Sequence, residues 1–231
     1  MRYLFFDEES IGPKGQKARA LSFGYVLTDE NFNILKQDNY WFNPEIKPEE
    51  HDWYALKKIV KLKYKDIKQL KTTFKNYYKR IKKLIEQKDV LCFGFQIDND
   101  IGYLLNSSLY YGLDSIDFPY VDVRKIIESL TEQKSKGLQE EYMRYCGNLP
   151  TNAHNSEYDA LMTMKLLQAI CKKYKVNINE FLARNEKYVG QVKDFCFGYK
   201  SKENNDVRKP KDKKYAPRPR NSTINARNRI G

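Results

Sequence analysis

Residues 2–10 read RYLFFDEES. Four apolar or aromatic side chains, Tyr3 to Phe6, run straight into three acids, Asp7, Glu8 and Glu9. Two carboxylates ~4 Å apart repel by about 4 kcal/mol at an effective dielectric near 20. Either the acids splay into water or something holds them together. On a strand, side chains alternate between faces. Asp7 and Glu9 therefore share one face, and Glu8 points to the other. The same residues also suit a strand that simply ends in a turn at Ser10, Ile11 and Gly12.

Outward from this stretch, residues 1–7 read as a buried strand. Residues 19–28 (RALSFGYVLT) and 32–42 (FNILKQDNYWF) have strand-like content and partial alternation, with the DEN of 29–31 between them as a hairpin turn. Pro44 and Pro48 break the pattern. Then the period changes. Ile67, Leu70, Phe74, Tyr77, Tyr78, Ile81, Leu84 and Ile85 fall mostly three and four apart, with Lys between. This predicts an amphipathic helix of about twenty residues, roughly 30 Å long, with a basic outer face.

DVLCFGF (89–95) is almost wholly apolar, as a central strand is. DNDIGYLLNSSLYYG (98–112) predicts a helix capped at Gly112. DFPYVDVRKIIESL (117–130) gives a short strand and a helix starting near Asp122. A helix over 139–145 follows, then one from near Ser156 with Ala160, Met164, Leu167 and Cys171 on its apolar stripe. Three strands, helix, strand, helix, strand and closing helices predict an α/β sandwich around a mixed sheet.

The chain has 231 residues and a formal net charge of +12. Thirteen Lys/Arg against two acids lie in 54–88, and eleven against three in 199–231. The rest is therefore net acidic. An acidic body with two basic attachments suits a polyanion that must approach an acidic site, although Lys-rich faces also serve solubility alone. Residues 1–198 are expected to form one domain containing the basic helical segment 54–88. Residues 199–231 hold three prolines and few apolar side chains, so they are expected to be a disordered basic tail. Cys92, Cys146, Cys171 and Cys196 form no CxxC pair and read as reduced thiols of a cytoplasmic protein. No apolar run approaches the ~18 residues of a membrane span and no signal-peptide core is evident, so no membrane association is expected.

Beyond Asp7 and Glu9, the acids near element ends are Asp98 and Asp100 after the central strand, and Asp159 in AHNSEYD (153–159). Each has an ordinary alternative: a first-turn acid at 98 or 100, and a Ser156–Asp159 capping box. His154 is one of two histidines, with His51. Taken together, Asp7, Glu9, Asp100 and Asp159 fall at element ends that share one sheet edge. Hard oxygen donors with few nitrogens favour Mg²⁺ or Mn²⁺ over zinc. A pair of such ions roughly 4 Å apart suits in-line displacement at phosphorus. A histidine with a pKa near ~6.5 is the natural base for the attacking water.

FFDEESIG (5–12), LCFGFQIDNDIGYLL (91–105) and AHNSEYDALMTMKLL (153–167), in this order, resemble the three motifs of the DEDD exonucleases. YVDVRKII (120–127) resembles the family's intervening strand–helix junction. The likeness covers roughly residues 1–175. The position four before Asp159 is Asn155 and the position five before is His154, which resembles the DEDDh branch rather than the tyrosine branch. The resemblance implies a ribonuclease H-like mixed five-stranded sheet, a three-strand meander followed by two parallel strands, flanked by helices. It places Asp100 rather than Asp98 in the motif. It implies two Mg²⁺ or Mn²⁺ ions held by Asp7, Glu9, Asp100 and Asp159, with Asp7 on both and His154 as general base. It also implies that the backbone at Ser10 meets the terminal sugar, with Ile11 near its base. Two departures bear on how the terminal nucleotide is held: Phe95-Gln96 stands where His-Asn is common, and Ile11 replaces a threonine.

The expected activity is metal-dependent 3′→5′ release of nucleoside 5′-monophosphates from single-stranded or frayed 3′ ends, with DNA favoured over RNA. The alternatives are an RNA-trimming exoribonuclease and a proofreading or nucleic-acid-binding subunit docked to a polymerase. The tail, 199–231, is then expected to bind nucleic acid or a protein partner.

Overall fold

A computed structural model describes residues 1–12, 18–47, 63–147 and 155–194. All of them fall within the unit Met1–Phe197. The expected tail and residues 54–62 of the basic segment lie outside the described residues.

Three strands, β1 (Arg2–Ile11), β2 (Arg19–Asp29) and β3 (Ile34–Trp41), form an antiparallel meander. β4 (Val90–Gly94) joins β1 in parallel, and β5 (Pro119–Asp122) joins β4 in parallel. All five expected strands are present. A sixth, β6 (Val189–Gln191), pairs antiparallel with β5 and completes the order β3-β2-β1-β4-β5-β6.

Alternation along β1 builds two cores. Tyr3 and Phe5 face one side, with Phe93 and the buried stripe of α6 (Ser156–Tyr174), and with α4 (Val123–Thr131), α5 (Leu138–Cys146) and α7 (Ile178–Arg184). Leu4 and Phe6 face the other side, with Phe23, α2 (Phe74–Ile85) and α3 (Asp98–Tyr110). The rings interlock, Phe5 on Phe93 at 5.1 Å and Phe6 on Phe23 at 5.4 Å between centroids. Each buried Phe contributes about 1.5–3 kcal/mol by transfer from water.

The expected single basic helix is two: α1 (Tyr64–Gln69) and α2. The break at 70–73 is tertiary. Asn43 N donates to Thr72 O at 2.7 Å, and Thr72 Oγ1 donates to Trp41 O at 3.2 Å. Thr73 N donates to Asn76 Oδ1 at 2.7 Å, starting α2 afresh. The end of β3 captures this segment despite its helical periodicity. Gly112 sits at φ 60° just past α3, as its capping role requires. Among the described residues, no helix is long and apolar enough to cross a membrane.

Candidate active site

The C-terminal half of β1 carries the acids, with Glu8 and Glu9 still buried. Asp7 and Glu9 lie on the α6 face. The pairing of β1 with β2 shifts between Glu9 and Ser10, a bulge that re-aims the strand where the site begins. Asp159 stands in the first turn of α6. Asp7, Glu9 and Asp159 each bring a carboxylate oxygen within 4.8 Å of the others.

Asp100 comes from the first turn of α3 and is buried. Its Oδ1 accepts the Glu8 backbone N–H at 3.0 Å, so it is pinned to the acidic stretch of β1. The start of α3 is itself fixed from the neighbouring strand. Asp122 Oδ1 accepts Gln96 N at 3.0 Å and Arg124 N at 2.9 Å. Gln96 holds φ 57°, the left-handed turn that launches α3.

Glu8 points away from Asp7 and Glu9, as alternation requires. It does not reach water. It is buried, and neither of its carboxylate oxygens has a hydrogen-bond partner among the described residues.

Burial and crowding push these acids up together. The Asp7 carboxyl lies well above the usual range through desolvation, and then through Asp100, Asp159 and Glu9. Glu9 is pushed to about 8, by burial first and then by Asp159. Asp100 is raised by burial, against the hydrogen bond from Glu8 N. Glu8 is raised by burial and then by Asp100. Acids crowded this way are unstable as anions unless positive charge joins them. Grouped carboxylate oxygens are the donors a hard divalent cation such as Mg²⁺ or Mn²⁺ takes. Among the described residues the donors are all oxygens, unlike the usual N/S surroundings of a structural zinc. Asp7, Glu9 and Asp159 could hold such an ion.

The N-terminus of α6 is seated on β2 by contacts absent from the motif reading. A Cβ on Gly24 would lie 2.0 Å from Glu157 N, so only glycine lets the helix approach. Ser156 Oγ lies 2.8 Å from Ser22 Oγ and donates to Asn39 Oδ1 at 3.1 Å. Asn39 Nδ2 donates to Asn155 Oδ1 at 3.0 Å. Asn155, not Ser156, caps the helix, accepting Glu157 N at 3.1 Å. The Ser156 hydroxyl is used for docking instead of a capping box. Thr163 Oγ1 donates to Asp159 O at 2.8 Å one turn on.

Ser10 follows the bulge, opposite Ala20. The Ile11 side chain is 1% exposed, packed with Leu21, Ile46 and Ile67. His154 and His51 lie outside the described residues.

No family model matches the sequence, and no curated protein matches it by sequence. Solved structures do match. The nuclease domain of 3′hExo, a DEDDh family member bound to rAMP, superposes with TM-score 0.64 at 12% identity, over 74% of this chain and 92% of that one. Pop2p of S. pombe, in a form with Mg²⁺ and Mn²⁺ bound, superposes with TM-score 0.64 at 18% identity, over 76% of this chain and 84% of that one. A zinc-bound E. coli exonuclease I complex with single-stranded DNA gives TM-score 0.62 at 15% identity, over 79% of this chain. The chain spans 43% of the length of that exonuclease. The chain thus shares the α/β fold of these solved structures.

Proposed function

We propose that this chain is a DEDDh 3′→5′ exonuclease that releases nucleoside 5′-monophosphates from single-stranded or frayed 3′ ends in the cytoplasm. The observation that carries the reading is the convergence of Asp7, Glu9 and Asp159 oxygens within 4.8 Å at the end of β1, with Asp100 tied to the same strand. Asp7, Glu9, Asp100 and Asp159 would hold two Mg²⁺ or Mn²⁺ ions, with Asp7 shared between them. When bound, such a pair supplies charge stabilisation at both the attacking and the leaving oxygen.

The chain's own residues do the rest. Asp100 locks to Glu8 N and keeps β1 in register with α3. The Gly24 seat and the Ser22–Ser156 contact fix the height of Asp159. His154, directly before the Asn155 cap, takes the proton of the attacking water. Ser10 presents its backbone to the terminal sugar. The Ile11 side chain, being buried, supports that backbone from beneath, and its own backbone lies next to the base.

DNA is the first substrate proposed, with RNA trimming the alternative, since the choice depends on contacts to the 2′-hydroxyl. The Lys-rich face of α2 and the tail would hold phosphates without sequence preference. The test uses 5′-labelled single-stranded DNA, duplex DNA and single-stranded RNA with Mg²⁺, Mn²⁺ or EDTA. A one-nucleotide ladder that disappears in EDTA is expected. Intact oligonucleotides under every condition would refute the reading. Deleting 199–231 sorts the rival roles of the tail. Unchanged turnover with loss of a polymerase partner marks a protein tether; weaker substrate affinity with a smaller salt slope marks a nucleic-acid arm.

A further inference from the structure

α3 runs alongside the end of the catalytic strand, and two contacts mark its course. Asp100 Oδ1 accepts Glu8 N at 3.0 Å near the helix start, Tyr103 follows one turn on, and Ser107 Oγ accepts Ala20 N at 2.9 Å. Asn106 Nδ2 adds a bond to Ala18 O at 3.3 Å. The track ends at Tyr110, ten residues and about 15 Å from Asp100.

There the Arg19 guanidinium lies 3.8 Å from the centroid of the Tyr110 ring. Arg19 is the β2 partner of Ile11, one step beyond Ser10. It is 7% exposed, its Nη1 has no hydrogen-bond partner, and no ion pair to it is found among the described residues. A buried cation with no ion pair among the described residues is costly, and a ring face compensates only in part. Tyr110 is 52% exposed and Leu109 70% exposed. Tyr111 braces Tyr110 edge-on, 4.9 Å between centroids.

From this we propose that Tyr110, backed by Arg19, is a stacking platform for an unpaired base of the substrate strand, roughly two to four nucleotides upstream of the 3′ end. The inference rests on the exonuclease reading. A rigid aromatic ring at the end of a helix anchored to β2 accepts any base by its π-face. The guanidinium beneath it withdraws electron density from the ring and supplies the positive field that a phosphate chain completes. The occupant is single-stranded nucleic acid, because a duplex keeps its bases stacked on each other.

The experiment measures binding of labelled single-stranded 12-mers and dinucleotides by anisotropy with Ca²⁺ in place of Mg²⁺, and KM for trimming both lengths. The wild type is expected to favour the 12-mer. Tyr110→Ala should lose about tenfold of that length-dependent gain, while Tyr110→Trp keeps it, because stacking and not bulk is what matters. Arg19→Met, which keeps the packing and removes the charge, should reduce the gain severalfold; its melting temperature is read alongside. Tyr110 is half exposed, so its variants report even if Arg19→Met fails to fold. Twelve-mer affinity indifferent to Tyr110→Ala, in a protein that binds and trims, overturns the platform alone. A wild type that neither binds nor trims any oligonucleotide overturns the exonuclease reading on which it rests.

Discussion

Ser22 Oγ on β2 and Ser156 Oγ on α6 lie 2.8 Å apart, both buried. Through this contact the helix that bears Asp159 is seated on the sheet that bears Asp7 and Glu9. Side chains 150 or more residues apart in sequence thus meet because two elements dock with almost no space between them. Gly24, two residues along β2, sets how close they come.

Gly24→Ala tests that docking. The added methyl would meet Glu157 N at 2.0 Å and the Ser156 carbonyl carbon at 2.2 Å, both backbone atoms that cannot swing aside. The helix must shift, carrying Asp159 with it. Overpacking of this kind costs about 1–3 kcal/mol, and an ångström of misplacement lowers turnover about 100-fold. Thermal melting and single-turnover trimming check the two effects. A variant that melts and trims like the wild type rules the seat out.

Asp7→Asn removes one of the crowded carboxylates. In EDTA its melting temperature is expected to rise by a few degrees, because repulsion worth on the order of 1 kcal/mol is relieved. With Mn²⁺ the order reverses. The wild type gains stability by mass action and the variant gains little. Monophosphate release should fall by at least about 1000-fold. Calorimetry with and without metal, on the same protein preparations, reads both signs.

The raised carboxyls fix the pH dependence of the metal-free fold. Glu9 rests at about 8 in the folded chain against an ordinary 4.5. Between those values the folded chain binds more protons than the unfolded chain. The stability that Glu9 contributes is therefore fully present below about pH 4.5 and declines as pH rises toward 8. Asp7, Glu8 and Asp100, raised in the same direction, act with the same sign. In EDTA the melting temperature should drop from pH 5 to pH 8, and saturating Mg²⁺ should flatten the slope. A metal-free melting temperature that climbs over this range contradicts the buried cluster.

His154→Ala is expected to slow trimming by about 100-fold or more, within the usual range for a general base. The Mn²⁺-induced rise in melting temperature should persist, since the carboxylates are intact. The acid limb of the pH–rate profile, near ~6.5 for a histidine, should disappear. A wild-type rate or an unchanged limb removes His154 from the mechanism.

Much of this was legible in the residues. Tyr3 to Phe6 run apolar into Asp7 and Glu9, and period-two alternation already puts those two acids on one face. Asp122 reads as a helix start and caps α4, accepting Arg124 N. Other features depend on contacts no local pattern encodes. The helical spacing continues through Leu70 to Thr73, yet bonds from Asn43 and to Trp41 break the helix there. β6 is three residues long and exists by pairing with β5. Gly24 inside a strand reads as a weak point until α6 is found upon it. Glu8 looks like an acid free to reach solvent; only the packing of α3 against β1 encloses it. Ser22 and Asn39 sit in strands with nothing to mark them as partners of Asn155 and Ser156.

The most direct measurement is anomalous diffraction from a crystal soaked in Mn²⁺. Two peaks are expected among Asp7, Glu9, Asp100 and Asp159, both absent in Asp7→Ala crystals treated alike. Ordered carboxylates with no anomalous density between them, at a manganese concentration that supports trimming by known exonucleases, would contradict the account.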